Sequence, residues 1–465
     1  MKTTKSLGTG LKYLLFVAIV CATTCKSRET TVDAVLSPGD TLSVITLYSS
    51  STYFIYKGEP MGYEYELAKS FADEHELILN VKIADNASRL VEMLQSGEGD
   101  IIAYQLPITT PMKQEVLFCG KEQVSPLALV QRSNRGDTLL QNITELLGKE
   151  VYVKNNTRQY ERLVNLDREL GGGILIRDIE KDTVSTEDLI EMVSNGIIPY
   201  TVADRAIAQL NKTYFQNINY DLEVSFPQRS SWAVRKNDEY LAQAIDQWAQ
   251  KYQENESYKS IHKRYFERSK HVELDNFHGN DFLGNGQISP FDSLFRHYGA
   301  EVGIDWRLLA AVAFEESMFT PTAVAWTGAE GLMGIMPKTA EYMGLEPHDR
   351  RTAEGSIRTG AIYLNRMRRM FPTVEDDEQR IKFALGAYNA GIGHILDARA
   401  LTERYGKNKN YWDNNVEEYV RLKSLPEYHN DPVVKHGYLR GSETYNYVRS
   451  ITDRWERYKQ LKVEN

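Results

Sequence analysis

Two adjacent carboxylates, Glu315 and Glu316, end an apolar segment of the chain and could supply an acid. Leu309, Val312, Ala313 and Glu316 recur at helical spacing, which places Glu316 on a face otherwise made of hydrophobic side chains. A carboxyl group in such surroundings is harder to ionise and can keep its proton near neutral pH, as a general acid for cleaving a glycosidic bond must. The same spacing moved by one residue fits Glu315 equally well, so periodicity leaves both open.

A glycine-rich loop follows this helix and contains Gly328, Gly331 and Gly334. Glycine lets the backbone approach a ligand closely and adopt positive φ angles. The loop could therefore hold a substrate against the acid. The alternative is a flexible turn before the next helix, which Pro337 would begin.

The elements around these residues are predicted to be almost entirely helical. Asp305 is placed to cap the helix that carries the acid. Hydrophobic periodicity predicts helices at residues 291–298, 305–319, 337–343, 357–371, 378–388, 391–400 and 444–461.

Several spaced motifs in this region resemble the catalytic domain of the soluble-type lytic transglycosylases, which share a goose-lysozyme-like fold. The resemblance covers about 180 residues. It is carried by Glu316-Ser317, Gly328-Ala329-Glu330-Gly331-Leu332-Met333, Met336-Pro337, Thr339-Ala340, Ala387-Tyr388-Asn389-Ala390-Gly391 and Glu443-Thr444-Tyr445-Asn446-Tyr447-Val448.

The resemblance implies that Glu316, and not Glu315, is the single catalytic carboxylate. It would protonate the glycosidic oxygen between N-acetylmuramic acid and N-acetylglucosamine and then help the 6-hydroxyl of the sugar to attack, leaving a 1,6-anhydro end. No cofactor is implied. The substrate-contacting residues that it implies are Ser317, Met333, Met336, Tyr388, Asn389 and Tyr447.

Two positions depart from the pattern of that family. Gly334 stands where the family has glutamine, and Ala325 stands where it has serine. Both family side chains offer polar contacts to substrate. We therefore expect sugar binding to be weakened or redirected at these two places.

The first half of the chain alternates predicted strands and helices, which indicates α/β units and a largely parallel sheet. Strands are expected at residues 42–47, 79–83, 100–104, 150–154, 197–202 and 231–235, and helices at 65–76, 89–95, 157–163, 186–193, 204–210 and 237–265.

Residues 41–268 resemble the periplasmic solute-binding proteins of the amino-acid type, whose two lobes close over a ligand. The second lobe would span about 130–228. The resemblance assigns ligand contacts to Tyr63, Thr109 and Asp204. The arginine that usually follows the threonine is replaced by Met112 and Lys113, which argues against a free amino acid as ligand. A peptide, a muropeptide fragment or no ligand at all stays open.

The first 25 residues have the charged start, short apolar run and small residues of an export signal. Ala22-Thr23-Thr24-Cys25 resembles a bacterial lipoprotein box, which predicts lipidation of Cys25; the alternative is a plain secretory signal. A tether at 26–40 and a linker at 269–289 would flank the binding module, with the catalytic domain at 290–465. The expected location is the outer membrane, facing the periplasm.

The whole chain is thus expected to be multidomain, an α/β two-lobed binding module followed by a mainly α lysozyme-like domain. This pairing resembles the membrane-bound lytic transglycosylases of the F type. The net charge of −9 argues against nucleic-acid partners, and the nine histidines show no paired spacing typical of a metal site. A receptor with a non-catalytic wall-binding domain and a lysozyme-type hydrolase remain alternatives.

Overall fold

The computed structural model of the chain describes residues 36–155, 157–179, 184–268 and 287–460. The expected signal segment with Cys25 and most of the expected tether and linker lie outside these residues. Within them, no helix combines the length and the apolar composition that crossing a bilayer requires.

The N-terminal half forms two five-stranded sheets with helices packed on them. The elements of the first lobe are β1 (Thr41–Thr46), β2 (Phe54–Tyr56), β3 (Glu59–Met61), α1 (Tyr63–Glu74), β4 (Ile78–Ile83), α2 (Ala87–Gln95), β5 (Ile101–Pro107), α3 (Thr110–Glu115) and β6 (Val116–Ser125), of which β2 and β3 form a separate two-stranded sheet. Those of the second are β7 (Leu127–Arg132), β8 (Glu150–Lys154), α4 (Arg158–Glu169), β9 (Leu175–Ile179), α5 (Thr186–Ser194), β10 (Tyr200–Asp204), α6 (Arg205–Lys212) and β11 (Ile218–Asn219). The chain then returns through β12 (Gln228–Arg235), α7 (Glu239–Tyr252) and α8 (Glu256–Phe266).

The two sheets define two lobes joined by two chain crossings. The strand order is β4-β1-β5-β12-β6 in the first lobe and β11-β7-β10-β8-β9 in the second. The chain leaves the first lobe between β6 and β7 and returns to it through β12, which pairs antiparallel with both β5 and β6. The expected two-lobed α/β architecture is therefore confirmed.

The C-terminal half is helical, as expected. Its helices are α9 (Asp292–Val302), α10 (Trp306–Ser317), α11 (Pro337–Tyr342), α12 (Ala353–Arg369), α13 (Asp377–Ala390), α14 (Ile392–Arg404), α15 (Glu417–Leu422), α16 (Pro426–His429) and α17 (Gly441–Gln460). Helix α10 is central, because it packs against α9, α12 and α17 and is buried along most of its length. Burial of that many apolar side chains makes α10 a rigid support for whatever its end presents.

One element of the first lobe reaches into the helical half. Strands β2 and β3 pair antiparallel around Lys57 and Gly58, whose φ angles are +50° and +80°. Positive φ at both central positions is the geometry of a tight type I′ hairpin. We call residues 54–61 the hairpin. It is the element that brings the N-terminal half to the candidate site.

Candidate active site

Helix α10 carries the candidate acid at its C-terminal end. Asp305 caps its start by accepting a hydrogen bond from the Arg307 backbone N–H at 3.0 Å, as predicted. The helix stops after Ser317 because Met318 and Phe319 adopt left-handed backbone angles, with φ of +48° and +59°. Two consecutive left-handed residues without glycine are strained, and such strain is concentrated at functional sites. Here it turns the chain sharply just beyond Glu316.

The two adjacent glutamates have different surroundings. The Tyr447 hydroxyl donates a 2.7 Å hydrogen bond to Glu316 Oε1, and the Glu316 side chain is only 10% exposed. Glu315 instead accepts a 2.7 Å hydrogen bond from the Ser450 hydroxyl. The motif residues therefore surround Glu316. Burial, and then the nearby Glu316 charge, raise the pKa of Tyr447 well above its ordinary value, so this hydroxyl keeps its proton and acts as a donor.

The glycine-rich loop lies directly against the acid. Gly334 has a φ of +56°, and a Cβ atom built on it would stand 2.0 Å from Glu316 Oε2. Any side chain at this position would have to displace the carboxylate. Glycine in place of the family's glutamine therefore has a structural reason in this arrangement: because Gly334 has no side chain, the Glu316 carboxylate can lie against the loop. Ala325 lies in a turn of the same loop, where its N–H donates to the Ala329 carbonyl at 2.8 Å.

The expected substrate residues divide into those near the acid and those that support it. Tyr388 is buried and donates a 2.6 Å hydrogen bond to the Met333 carbonyl, and the Glu316 charge contributes to raising its pKa. Asn389 accepts a 2.7 Å hydrogen bond from the Thr444 hydroxyl, which ties α13 to α17. Asn389 thus buttresses the site.

Ser317 does not face open space. It is fully buried, and its hydroxyl lies 2.9 Å from the carbonyl oxygens of both Ala313 and Leu332. In this conformation it fastens the glycine-rich loop to α10, which makes it a positioning residue. Met333 and Met336 are also buried, and Met336 immediately precedes α11.

The hairpin places a cation beside the acid. Lys57 Nζ lies 3.5 Å from Glu316 Oε1 and 3.4 Å from the Gly334 carbonyl oxygen, and its side chain is only 7% exposed. It also lies 5.6 Å from the centre of the Tyr388 ring. The hairpin thus occupies the space beside the acid.

The backbone of the hairpin is bound as well. The Lys57 N–H donates a 3.1 Å hydrogen bond to the Ala390 carbonyl, and His394 Nε2 lies 2.7 Å from the Ile55 carbonyl oxygen. A Cβ atom on Gly391 would stand 3.1 Å from the Gly58 nitrogen. The glycine that ends the Ala-Tyr-Asn-Ala-Gly motif therefore allows the hairpin to pack closely.

A buried ionic cluster fixes the histidine that holds the hairpin. Lys423 is fully buried and lies 2.7 Å from Asp397 Oδ2 and 2.9 Å from His394 Nδ1. Burial and then the Lys423 charge lower the pKa of His394 well below its usual value. Since Lys423 can only donate, His394 Nδ1 accepts, and the remaining proton lies on Nε2, directed at the Ile55 carbonyl.

Glu187 connects three parts of the molecule. It lies at the start of α5 in the second lobe and accepts hydrogen bonds from Ser50 of the first lobe and from Tyr438 of the helical half, the latter at 2.9 Å. Arg440 stands 3.6 Å from the same carboxylate and 2.8 Å from Asn211 on α6. A movement between the lobes must therefore change contacts made by the helical half.

The residues expected to bind a ligand in the N-terminal half do not form one group. Asp204 pairs with Arg158 at the start of α4, and Arg158 also donates a 2.7 Å hydrogen bond to Gln228 at the start of β12. Thr109 caps α3, close to the same crossing. Burial raises the pKa of Asp204, although Arg158 acts against this. Tyr63 lies elsewhere, inside the first lobe, where its hydroxyl is 3.1 Å from that of Tyr258.

Sequence reasoning missed Lys57 and Arg158. The segment around Lys57-Gly58 carried a hairpin signal, because two short runs of β-forming residues flank a turn pair. Its docking partner lies 259 residues away, which no local pattern can indicate. Arg158 directly follows the predicted cap Thr157, and a cation at a helix start gave no signal of its own.

Two protein families match separate parts of the chain. The family described as the transglycosylase SLT domain matches residues 293–411, and bacterial extracellular solute-binding proteins, family 3, match residues 43–268. The second substrate-binding domain of Lactococcus lactis GlnP superposes on 49% of this chain and 96% of its own, with 19% identity and a TM-score of 0.43.

Full-length relatives share both halves in the same order. A membrane-bound lytic murein transglycosylase F of Pseudomonas fluorescens is 30% identical over 433 residues, covering 92% of this chain and 86% of the relative. That of Desulfosudis oleivorans is 33% identical over 426 residues, covering 90% of each chain. This chain therefore belongs to the membrane-bound lytic murein transglycosylase F family.

Proposed function

We propose that this protein is a peptidoglycan lytic transglycosylase in which Glu316 serves first as acid and then as base. The observation that carries the proposal is the pairing of Glu316 with the Tyr447 hydroxyl against a glycine-rich loop and the Tyr388 ring. Family membership supports it, since the relatives named above are murein transglycosylases.

The geometry suggests a division of labour between the two carboxylate oxygens. Oε1 is held by Tyr447, whereas Oε2 faces Gly334 and has no hydrogen-bond partner among the described residues. Oε2 would carry the proton and give it to the glycosidic oxygen as the bond from that oxygen to C1 breaks. The resulting carboxylate then takes the proton of the sugar's 6-hydroxyl as its oxygen bonds to C1. No water is consumed, and one carboxylate suffices.

The test is mass spectrometry of fragments released from purified peptidoglycan. We expect 1,6-anhydro ends, one water lighter than hydrolysis products. Glu316→Gln should lower the rate by about 10²–10⁴-fold, the range typical of a general acid. Glu315→Gln is the matched control and should retain activity within a few-fold. Water-added fragments would instead make the protein a lysozyme-type hydrolase, and no fragments from the wild type would favour the receptor alternative.

We further propose that the hairpin keeps the enzyme in a closed, inactive state that the N-terminal half can release. Substrate cannot reach Glu316 while Lys57 is next to it and Ala390 holds the hairpin backbone. Glu187 could couple movement of the lobes to the helical half. Closure around a ligand between the lobes would alter its contacts with Ser50 and Tyr438. A peptide or muropeptide at Asp204 and Thr109 is the proposed effector.

A reversible bridge across the hairpin tests this closed state. Glu59 and Lys338 form an ion pair between the hairpin and α11, so cysteines at both positions can be joined by a short bismaleimide. We expect the bridged double variant to lose turnover, and each single variant treated alike to keep it. The experiment uses the protein without residues 1–25, which removes Cys21 and Cys25 and leaves Cys119 as the native cysteine. Burial raises the pKa of the Cys119 thiol, so it should not compete. Full activity of the bridged protein would rule out occlusion by the hairpin.

The placement in the cell and the division of the chain are also proposals. We propose lipidation at Cys25, an anchor in the outer membrane facing the periplasm, and the boundaries 41–268 and 290–465 for the two modules. Metabolic labelling with a fatty acid, compared with the Cys25→Ala variant, tests the anchor. Label that persists in the variant would exclude Cys25.

A further inference from the structure

A small chamber inside the first lobe combines aromatic walls with buried polar groups. Its walls are aromatic and come from α1, β12, α7 and α8, and its internal volume is about 30 Å3. The principal residues around it are Tyr63, Glu64, Trp232, Trp248, Tyr252 and Tyr258. This chamber lies among the helices packed on the first sheet, whereas Asp204 and Arg158 belong to the second lobe.

The chamber contains a buried carboxylate without a cation. Glu64 is 3% exposed and accepts hydrogen bonds from Trp232 Nε1 at 2.6 Å and Gln105 Nε2 at 3.2 Å, both neutral donors. Among the described residues, no basic side chain forms an ion pair with it. A buried charge without a counterion is costly. Burial accordingly raises the pKa of Glu64 to about 7.

A second residue of the chamber wall, Trp248, carries a buried donor. The indole N–H of Trp248 is buried and has no hydrogen-bond partner among the described residues. Trp248 stacks between Trp232 and Tyr252, with centroid distances of 6.5 and 4.7 Å. An uncompensated buried donor is costly, so a ligand oxygen that accepts from it would be favourable. Among the described residues, Glu64 therefore has no cationic partner and the Trp248 indole N–H has no acceptor.

The chamber adjoins a larger groove, with which it shares lining residues. The groove has a volume of about 630 Å3 and runs between strand β6 and helix α7. It shares Gly120, Lys121, Ala249 and Gln253 with the chamber. The chamber itself is too small for a whole amino acid but has room for an ammonium group, while the groove could hold the rest of an extended molecule.

The chain already places one ammonium on this aromatic surface. Lys121 Nζ lies 4.9 Å from the centre of the Tyr258 ring and donates a 2.7 Å hydrogen bond to its hydroxyl. Cations are attracted to aromatic ring faces in this way. Lys121 lines both the chamber and the groove, so an ammonium that moves from the groove into the chamber would be repelled by its positive charge.

We propose that this chamber binds the α-amino group of a peptide, with the ammonium paired to Glu64, the adjacent carbonyl accepting from Trp248, and the peptide body lying in the groove beside β6. A primary ammonium with a carbonyl on the neighbouring carbon supplies both missing partners at once. The site is distinct from the region of Asp204 between the lobes and does not depend on the proposed catalytic activity.

Calorimetric titration of the purified full-length chain tests the proposal with triglycine and N-acetyltriglycine, which differ in the free amine. We expect triglycine to bind at least tenfold more tightly. Glu64→Gln should weaken triglycine binding at least tenfold, whereas Asp73→Asn, at an exposed acid on the same helix, should change it less than twofold. Lys121→Met should tighten it, because the competing ammonium is gone.

A second readout covers the case in which Glu64→Gln does not fold. The indole N–H resonance of Trp248, assigned by its loss in Trp248→Phe, should shift when triglycine is added to the wild type and stay in place with the acetylated peptide. The proposal is wrong if the two peptides bind alike, if this resonance does not respond, if neither peptide binds, or if Asp204→Asn removes binding and a folded Glu64→Gln variant retains it.

Discussion

Lys57 holds its ammonium 3.5 Å from Oε1 of Glu316, although 259 residues separate the two in the chain. The same oxygen accepts the Tyr447 hydroxyl. The hydroxyl that orients Glu316 and the cation that pairs with it therefore meet at the same carboxylate oxygen. Two different interventions follow, because removing the lysine and removing the tyrosine should act on turnover in opposite directions.

Lys57→Met should raise basal turnover. The methionine keeps the apolar stem but removes the charge that holds the hairpin at Glu316, so the open state becomes more populated. We expect an increase of about tenfold, equivalent to roughly 1.4 kcal/mol of lost closure. Initial rates of fragment release measure it, and Lys69→Met, at an exposed pair with Asp73, is the control. An unchanged or lower rate would show that Lys57 does not restrain the enzyme.

Tyr447→Phe should lower turnover with little change in folding. The variant removes the hydroxyl that donates to Glu316 and keeps the buried ring. A hydrogen bond to a charged group contributes about 1.5–3 kcal/mol, so the rate constant should fall about 10–100-fold. Tyr445→Phe on the same helix is the control, because its hydroxyl meets Arg449 at the surface. Equal rates for both variants would remove Tyr447 from the site.

Gly334→Ala should inactivate the enzyme, because its Cβ would meet Glu316 Oε2 at 2.0 Å. Gly328→Ala is the matched control: its φ is also positive, at +88°, but the new methyl group would meet no atom within 4 Å. Both variants should lose about 1 kcal/mol of stability from backbone strain. Only Gly334→Ala should lose more than tenfold in rate. Comparable activity of the two variants would show that the carboxylate can move aside.

Glu64→Gln should change how stability depends on pH. The pKa of Glu64 is raised by burial from 4.5 to about 7, so between these values the folded protein binds more protons than the unfolded chain. Wild-type stability is therefore lost as pH rises through this window, and glutamine removes that loss. The unfolding free energy of the variant relative to the wild type should rise by roughly 2 kcal/mol from pH 5 to pH 7.5.

Denaturant unfolding at the two pH values, followed by tryptophan fluorescence, measures this difference. Glu254→Gln, at an exposed acid on the groove wall, should show almost no change between them. A flat difference for Glu64→Gln would mean that Glu64 ionises normally in the folded protein.

Sequence patterns predicted the framework of the catalytic half well. The apolar spacing and the Asp305 cap gave the start and interior of α10 correctly. The expected end at residue 319 was two residues too late, because Met318 and Phe319 are apolar and continue the pattern while their backbones turn left-handed. Periodicity could not choose between the two glutamates, whereas the contacts of Tyr447 and Ser450 distinguish them.

The contacts between the two halves of the chain were not predictable in the same way. Strand β6 begins as an apolar run but continues through Gly120 and Lys121 as an exposed edge, so its pattern fades halfway. The hairpin is only three residues on each side, and its contacts with Ala390 and His394 come from the other half of the chain. Local periodicity reports on burial within an element and contains no information about such distant partners.

The position of the hairpin near the start of the chain has a consequence for biosynthesis. Lys57 is made before Glu316, and so are all the strands and helices of the lobe that carries it, up to Phe266. Because synthesis runs from the N-terminus, the restraining lobe can fold before the last helix supplies Tyr447 and completes the site. Under the proposed closed state, a newly made molecule would therefore complete its catalytic half against a hairpin that is already available to cover Glu316.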